Sequence, residues 1–268
     1  MKNSKEYLNE KAYQYRKRFL EIFTRLGFGH LTSAFSWTEI ATVLLHEFYT
    51  RGTDRLFVSK GHGIGILFPI FEDLGFFTKS QVDDMVRIGG TNEEIKKLVT
   101  PGFDFYGGSL GIGIGMAVGY AKGEKLSGKD SHVYCIVGDA ECYEGSVWEA
   151  VNFAGFHKLD NLILIIDRNQ LGCSDFTEHM LALEPLDKKW KAFNWDVQVV
   201  DGHDVVKVYE AIRIAAEKKN GMPQCIIANT VKGKGLDYVT GRPLMHGYVP
   251  QGTDIDKAFN ELQFFGCK

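Results

Sequence analysis

The sequence has 268 residues, with 31 Lys and Arg against 34 Asp and Glu, and a net charge of −3 excludes both a basic footprint for nucleic acid and an acidic tail. Apolar residues at 44% and charged residues at 24% exclude disorder as the main state and allow a large buried core. Five cysteines, Cys135, Cys142, Cys173, Cys225 and Cys267, are an odd number without C-x-x-C spacing, which signals neither a disulfide framework nor a zinc site and fits a reducing cytoplasm.

The start is charged throughout and has no apolar stretch of the secretory kind. Apolar residues at helical spacing predict a helix over 7–26, stopped by Gly27, and a second over 37–49 after a capping Ser36. Five short, apolar, β-branched runs then predict strands at 56–59, 132–137, 162–166, 197–200 and 225–230. Helical periods over 143–158 and 205–219 have lengths suited to crossover connections. This alternation predicts one α/β domain over 1–268, an open and mostly parallel sheet with helices on both faces. A loop-rich region is expected over 87–108 and a surface loop over 232–251. The most apolar glycine-containing run, 109–121, falls short of the roughly 18 residues of a membrane span, so a soluble cytoplasmic protein is expected.

In an open parallel sheet, ligands bind beyond the carboxyl ends of the strands. The residues that follow the five runs are Lys60 and His62, then Gly138 to Glu141, Asp167 to Asn169, Asp201 to His203, and Lys232 to Gly235. Such a rim suits a metal with a phosphate. The strongest signal is HVYCIVGDAECYEGSVWEA followed by NLILIIDRNQ, in which thirty residues separate Asp139 from Asn169. At adjacent strand ends, Asp139, Asn169 and the Leu171 carbonyl would give Mg²⁺ its hard oxygens, with a diphosphate completing the shell. The plain alternative is a turn in which Asp139 caps the next helix.

These two segments resemble the thiamine diphosphate motif of transketolases. The resemblance continues in LGFGHLTSAFSWTEIATVLL, in DRLFVSKGHGIGILFPIFEDLGFF, in TPGFDFYGGSLGIGIGMAVGYA, and in VKGKG with the later MHG. It implies the first, diphosphate-binding domain of a transketolase. A full-length member is much longer and adds a pyrimidine-binding domain with the glutamate that activates the cofactor. The expected assembly is therefore a split enzyme of α2β2 form, inactive without a separate C-terminal subunit.

Carried over, the resemblance implies Asp139, Asn169 and the Leu171 carbonyl as ligands of Mg²⁺, or of Ca²⁺ or Mn²⁺. It places Gly138 and the Ala140 amide at the diphosphate, with Ala140 standing where the family has Gly. Gly108, Ser109 and Leu110 would lie at the pyrimidine. Glu144 would link two active sites across the dimer. His62 and His246 would reach the diphosphate and the reaction centre, and His30 the donor sugar. His132, His157, His179 and His203 match nothing and read as structural, and His46 belongs to a helix face. Gly111, Gly115 and Gly119, four apart, read as a packing or dimer stripe, and no convincing strand precedes the glycine run.

The pattern departs in two places. The family's Gly-His-Pro segment is replaced within 87–102 by a stretch without histidine, and Leu31 and Thr32 replace a Pro-Gly. Loss of a hydroxyl-binding histidine is expected to redirect donor choice. The implied reaction moves a two-carbon ketol unit from a ketose or ketose phosphate to an aldose. The alternatives are a thiamine diphosphate enzyme that uses pyruvate or another 2-oxo acid, and a noncatalytic paralogue that binds the cofactor.

Overall fold

Residues 1–27, 29–87, 105–106 and 108–266 are described by the computed structural model. Their strands are β1 Arg55–Val58, β2 Phe105–Tyr106, β3 Val133–Gly138, β4 Leu162–Arg168, β5 Asp196–Asp201 and β6 Gln224–Asn229. They pair in parallel in the order β2-β1-β3-β4-β6-β5. The five predicted strands are present within a residue or two of their expected bounds. The sixth, β2, immediately precedes the glycine run and corrects the reading that no strand does so; two residues carry no periodicity to read.

Side-chain alternation on the central strands divides the interior into two layers. Tyr134, Ile136, Ile163, Ile165 and Ile226 face one core, which also holds α1 Lys5–Leu26 and α10 Val205–Glu217. Val133, Cys135, Val137, Leu164 and Ile166 face the other, with α6 Ile112–Leu126 and α7 Gly145–Phe156. All seven residues of β4 are buried, as a central parallel strand with helices on both sides requires.

Helix α1 runs to the expected Gly27, which takes a left-handed φ of 72°, and begins slightly early because the Ser4 hydroxyl caps the Tyr7 amide. The helix expected over 37–49 is present as α3 Thr38–Val43, continued by a π turn, Leu44–Phe48, and a short helix that the sequence does not signal, α2 Leu31–Ser36, precedes it. The two are separated at Trp37, whose indole N–H donates to the Gly63 carbonyl at 2.8 Å, and Ser36 is the last residue of α2 rather than a cap. The chain continues through α4 Leu67–Asp73 and α5 Lys79–Arg87. After β4 come α8 Thr177–Met180 and α9 Leu186–Ala192, and α11 Thr253–Gly266 follows β6.

One further expectation is corrected. The 232–251 segment is no mere surface loop, because Leu236, Val239 and Val249 are buried in the core. Within this chain the glycine stripe is not one packed face. Gly111 has φ 81° and abuts Ser146 and Glu144, and Gly113 lies on the Ser59 backbone. Gly115 and Gly119 have open space beside them, next to exposed Met116 and Tyr120. Among the described residues no helix is long and apolar enough to cross a membrane.

Candidate active site

The sheet order reverses direction between β1 and β3, the place where a doubly wound sheet opens a crevice at its carboxyl edge. Beyond β1 come Lys60 and the 3-10 turn Gly61–Ile66, which carries His62. Beyond β3 come Asp139 and the turn Ala140–Tyr143. The register sets Gly138 against Asp167 and Asp167 against Ala228, so the tips of β3, β4 and β6 stand level. Between them lies a cavity of about 110 Å³, lined by Lys60, His62, Leu110, Gly138, Asp139, Ala140, Glu141, Asn169, Leu171, Gly172, Cys173, Lys232 and His246.

One wall presents oxygen. Asp139 is 2% exposed; its Oδ1 accepts the Ala140 amide at 2.7 Å, and its Oδ2 accepts the Gln170 amide at 2.6 Å and Arg168 Nη1 at 3.0 Å. The capping turn and the strand-tip carboxylate are thus one arrangement. Burial and nearby Asp167 push the Asp139 pKa up, against the pull of Arg168. Asn169 Oδ1 accepts the Leu171 amide at 3.1 Å, while its amide nitrogen donates to Asp167 and Ser36. That orientation turns an oxygen, not an NH₂, toward Leu171. Burial works to raise the Asp167 pKa, yet Lys60 beside it, with donors Thr230 and Ser36, holds it below the usual carboxylate value.

The opposite wall presents nitrogen. The rings of His30, His62 and His246 form a triangle with centroids 4.9 to 5.6 Å apart. Burial, then neighbouring cations, lowers all three pKa values, that of His246 to about 4. These imidazoles are neutral at pH 7. Lys232 Nζ lies 2.7 Å from His246 Nδ1, 3.2 Å from the Gly172 carbonyl and 3.5 Å from that of Leu171. Burial, followed by repulsion from Lys60, lowers the Lys232 pKa to about 8.

Of the residues singled out in the sequence, His62, His246, Leu110, Gly138, Asp139, Ala140, Asn169 and Leu171 meet in the cavity. His30 joins through its ring contacts with His62 and His246. Gly108 and Ser109 are exposed just before Leu110, and Glu144 is exposed at the start of α7, outside the cavity lining. The four histidines read as structural bond elsewhere: His203 joins Glu39 to the Val231 amide, His132 meets the Ala216 carbonyl, His157 meets Lys122, and His179 meets Asp175. The segment with the missing histidine lies outside the described residues, apart from Arg87, and Cys267 lies outside them too.

Lys60, Glu141, Asp167, Arg168 and Lys232 appear in the sequence only as rim residues without a role. Glu141, 1% exposed, accepts from Ser59, from the Gly111 amide at 2.7 Å and from the Gly138 amide at 3.1 Å. It therefore ties the end of β1, the end of β3 and the start of α6 together. Its signal was the Ser-Lys-Gly and Gly-Asp-Ala-Glu tips taken as neighbours, which requires knowing the strand order.

The donor set tests whether a divalent cation with a diphosphate fits. Among the described residues no three His, Cys, Asp or Glu side chains form a metal cluster. What the cavity offers a cation is the Asp139 carboxylate, one amide oxygen and one peptide carbonyl, facing Lys232 and two imidazoles; the second lining carboxylate, Glu141, is taken up by Ser59 and the Gly111 and Gly138 amides, and Lys60 is paired with Asp167. An oxygen set this sparse suits Mg²⁺ when phosphate oxygens complete its shell. Lys232 suits the phosphate, while the Gly138 and Ala140 amides beside it donate to Glu141 and Asp139. The residues fit the pair.

The family profile described as "Transketolase, thiamine diphosphate binding domain" matches residues 10–265. A relative from Actinobacillus succinogenes, named as one subunit of an apulose-4-phosphate transketolase, is 35% identical over 88% of this chain and 88% of its own. Another, 6-deoxy-6-sulfo-D-fructose transketolase subunit SqwG from a Clostridium species, is 35% identical over 89% of this chain and 90% of its own. The crystal structure of Campylobacter jejuni transketolase superposes with a TM-score of 0.78 at 26% identity, covering 98% of this chain and 44% of that one. The chain thus spans nearly the whole of the two single-subunit relatives and under half of that solved transketolase. A profile that covers almost every residue, relatives matched along nearly their full length and a cavity with the matching donors agree: the chain belongs to the transketolase family, and residues 10–265 match its thiamine diphosphate-binding domain.

Proposed function

We propose that this chain is the diphosphate-binding subunit of a split transketolase, active in the cytoplasm only when a second polypeptide brings the pyrimidine-binding half of the site. Asp139, Asn169 and the Leu171 carbonyl hold Mg²⁺, Lys232 holds the diphosphate, which lies against Gly138 and Ala140, and Gly108, Ser109 and Leu110 border the pyrimidine. The observation that carries the reading is the meeting of this oxygen set with Lys232 and His246 in one cavity at the β1/β3 reversal. Relatives matched over nearly their full length are themselves named as single subunits of transketolases, which supports a two-chain enzyme. The α2β2 form places Glu144, exposed at the start of α7, between two sites.

The reaction is transfer of a two-carbon ketol unit from a ketose to an aldose. Bound thiamine diphosphate supplies the electron sink for the cleaved C2–C3 bond. The protein's part is to bind, orient and exchange protons. Lys232 donates to His246 Nδ1, so the neutral ring carries its proton on Nε2 and serves as a donor. His62 and His30, neutral beside it, donate or accept at the donor's carbonyl and hydroxyl oxygens. The donor is a ketose bearing a phosphate or comparable anionic group, as the names of the apulose-phosphate and sulfofructose relatives indicate for those proteins. The anionic end is read by the partner.

The test is reconstitution with the cognate C-terminal subunit, followed by assay of aldose-dependent transfer from ketose phosphates, sulfo-ketoses and pyruvate. Transfer from a ketose is expected, and none from the chain alone. Turnover of pyruvate without any ketose would overturn the assignment.

A further inference from the structure

We infer that Arg168 is a positioning residue that makes uptake of the divalent cation conditional on the diphosphate, an inference that rests on the metal site proposed above. Arg168 is 2% exposed and sits at the end of β4. Its Nη1 donates to Asp139 Oδ2 at 3.0 Å and to Thr177 Oγ1 at 2.8 Å. Its Nη2 donates to Glu178 and Glu184 at 3.1 and 2.9 Å. A carboxylate oxygen has two in-plane lone pairs. Those of Asp139 Oδ2 are taken by Arg168 and by the Gln170 amide, which a left-handed φ of 64° turns toward it. Among the described residues Oδ1 accepts only the Ala140 amide, and it keeps a lone pair for a cation. Arg168 thereby fixes Asp139 as a ligand through one oxygen.

The same contact sets the charge. Asn169 and the Leu171 carbonyl are neutral, so Asp139 brings the one negative charge of the donor set. That charge is matched by the guanidinium on its far side. Glu178 and Glu184 answer Arg168 from its other face, but their side chains are 35% and 55% exposed and screened by water. The remaining charged side chains around the cavity cancel as well, Lys60 against Asp167 and Lys232 against Glu141, so a bare divalent ion meets a site of nearly zero net charge. Diphosphate supplies the missing negative charge, and the ion enters with it.

The test is Mn²⁺ binding to the full chain, followed by the electron paramagnetic resonance of free Mn²⁺ and by calorimetry, with and without thiamine diphosphate. Arg168→Met and Arg168→Gln remove the charge, and Gln keeps a donor for Asp139 should the Met variant not fold. Both are expected to bind Mn²⁺ alone at least about tenfold more tightly than the native chain, by removal of one positive charge close to a doubly charged ion. Arg168→Lys, which keeps the charge, is expected to stay near the native affinity. Adding Asp139→Asn to Arg168→Gln should abolish the gain. Neutral variants that bind Mn²⁺ alone no better than the native chain, or a Lys variant that gains as much as they do, would overturn the inference. If Asp139→Asn alone leaves Mn²⁺ binding in the presence of the cofactor unchanged, the metal site itself is wrong, which is a separate failure.

Discussion

Lys232 and His246 are joined through Nζ and Nδ1 at 2.7 Å, and an ammonium can only donate, so the lysine decides which imidazole nitrogen carries the proton. Lys232 also faces the Leu171 and Gly172 carbonyls. It thus lies between the oxygen wall and the imidazole wall of the cavity, the group best placed to meet an arriving anion.

Affinity for thiamine diphosphate should therefore depend on the charge of Lys232. Burial and Lys60 lower its pKa to about 8. Below that value the ammonium attracts the diphosphate; as pH rises through about 8 the free protein loses the charge and affinity falls. Lys232→Met should weaken cofactor binding at pH 7 by about tenfold or more, the weight of a charge-assisted hydrogen bond, and should remove the alkaline decline. Calorimetry from pH 6.5 to 9.5 on both proteins checks this. An alkaline decline that survives in Lys232→Met assigns it to another group.

The half-buried histidines predict acid sensitivity. An imidazole whose folded pKa lies below its unfolded value near 6.5 takes up a proton on unfolding, so stability is full above that value and is lost as pH falls through the window. For His246 the window runs from about 6.5 to about 4, and for His62, lowered further by burial and Lys60, it extends lower. The urea midpoint should fall between pH 7.5 and pH 5. His62→Asn should flatten that fall, measured against the native protein at both pH values.

The two buried carboxylates behind the cavity predict losses of different size. Asp167 neutralises Lys60, and both side chains are shut away from solvent. Asp167→Asn would leave a buried ammonium without its counter-charge, a cost of ~3–5 kcal/mol. Glu141→Gln keeps the shape but sets an NH₂ against one of the N–H or O–H donors that now share the carboxylate, costing ~1–3 kcal/mol. Denaturant unfolding measures both. A larger loss for Glu141→Gln than for Asp167→Asn would reverse the ranking of charge over hydrogen bonding.

These networks mark the limit of what the linear sequence discloses. Strands such as 162–166 declare themselves because a strand buried on both faces is a continuous apolar run, and Asp139 and Asn169 declare themselves as the polar residues where such runs stop. The short helix over 31–36 does not, because all six of its residues are buried and it shows no polar face, so Ser36 reads as the start of the next helix rather than the end of this one. Arg168, Glu141 and Lys232 are legible as residue types but not as partners. Their roles arise from β3 lying beside β4, β1 beside β3 and β6 beside β4, and strand order is set by crossover packing rather than by any local run.

The face of α6 carries the last prediction. Ile112, Met116 and Tyr120 are 50%, 46% and 38% exposed, and Gly115 and Gly119 beside them leave the helix backbone open. On α7, Phe153 and Phe156 are 45% and 78% exposed. Apolar surface of this extent on adjacent helices, starting one turn from Gly108 and Leu110, suits contact with another polypeptide of the proposed assembly. Met116→Glu should leave the unfolding midpoint within about 0.5 kcal/mol of native, as a surface change does. It should nevertheless abolish co-elution with the C-terminal subunit on size exclusion, since a carboxylate would be buried there without a partner. Co-elution that survives in both Met116→Glu and Tyr120→Glu would place the intersubunit contact on another face.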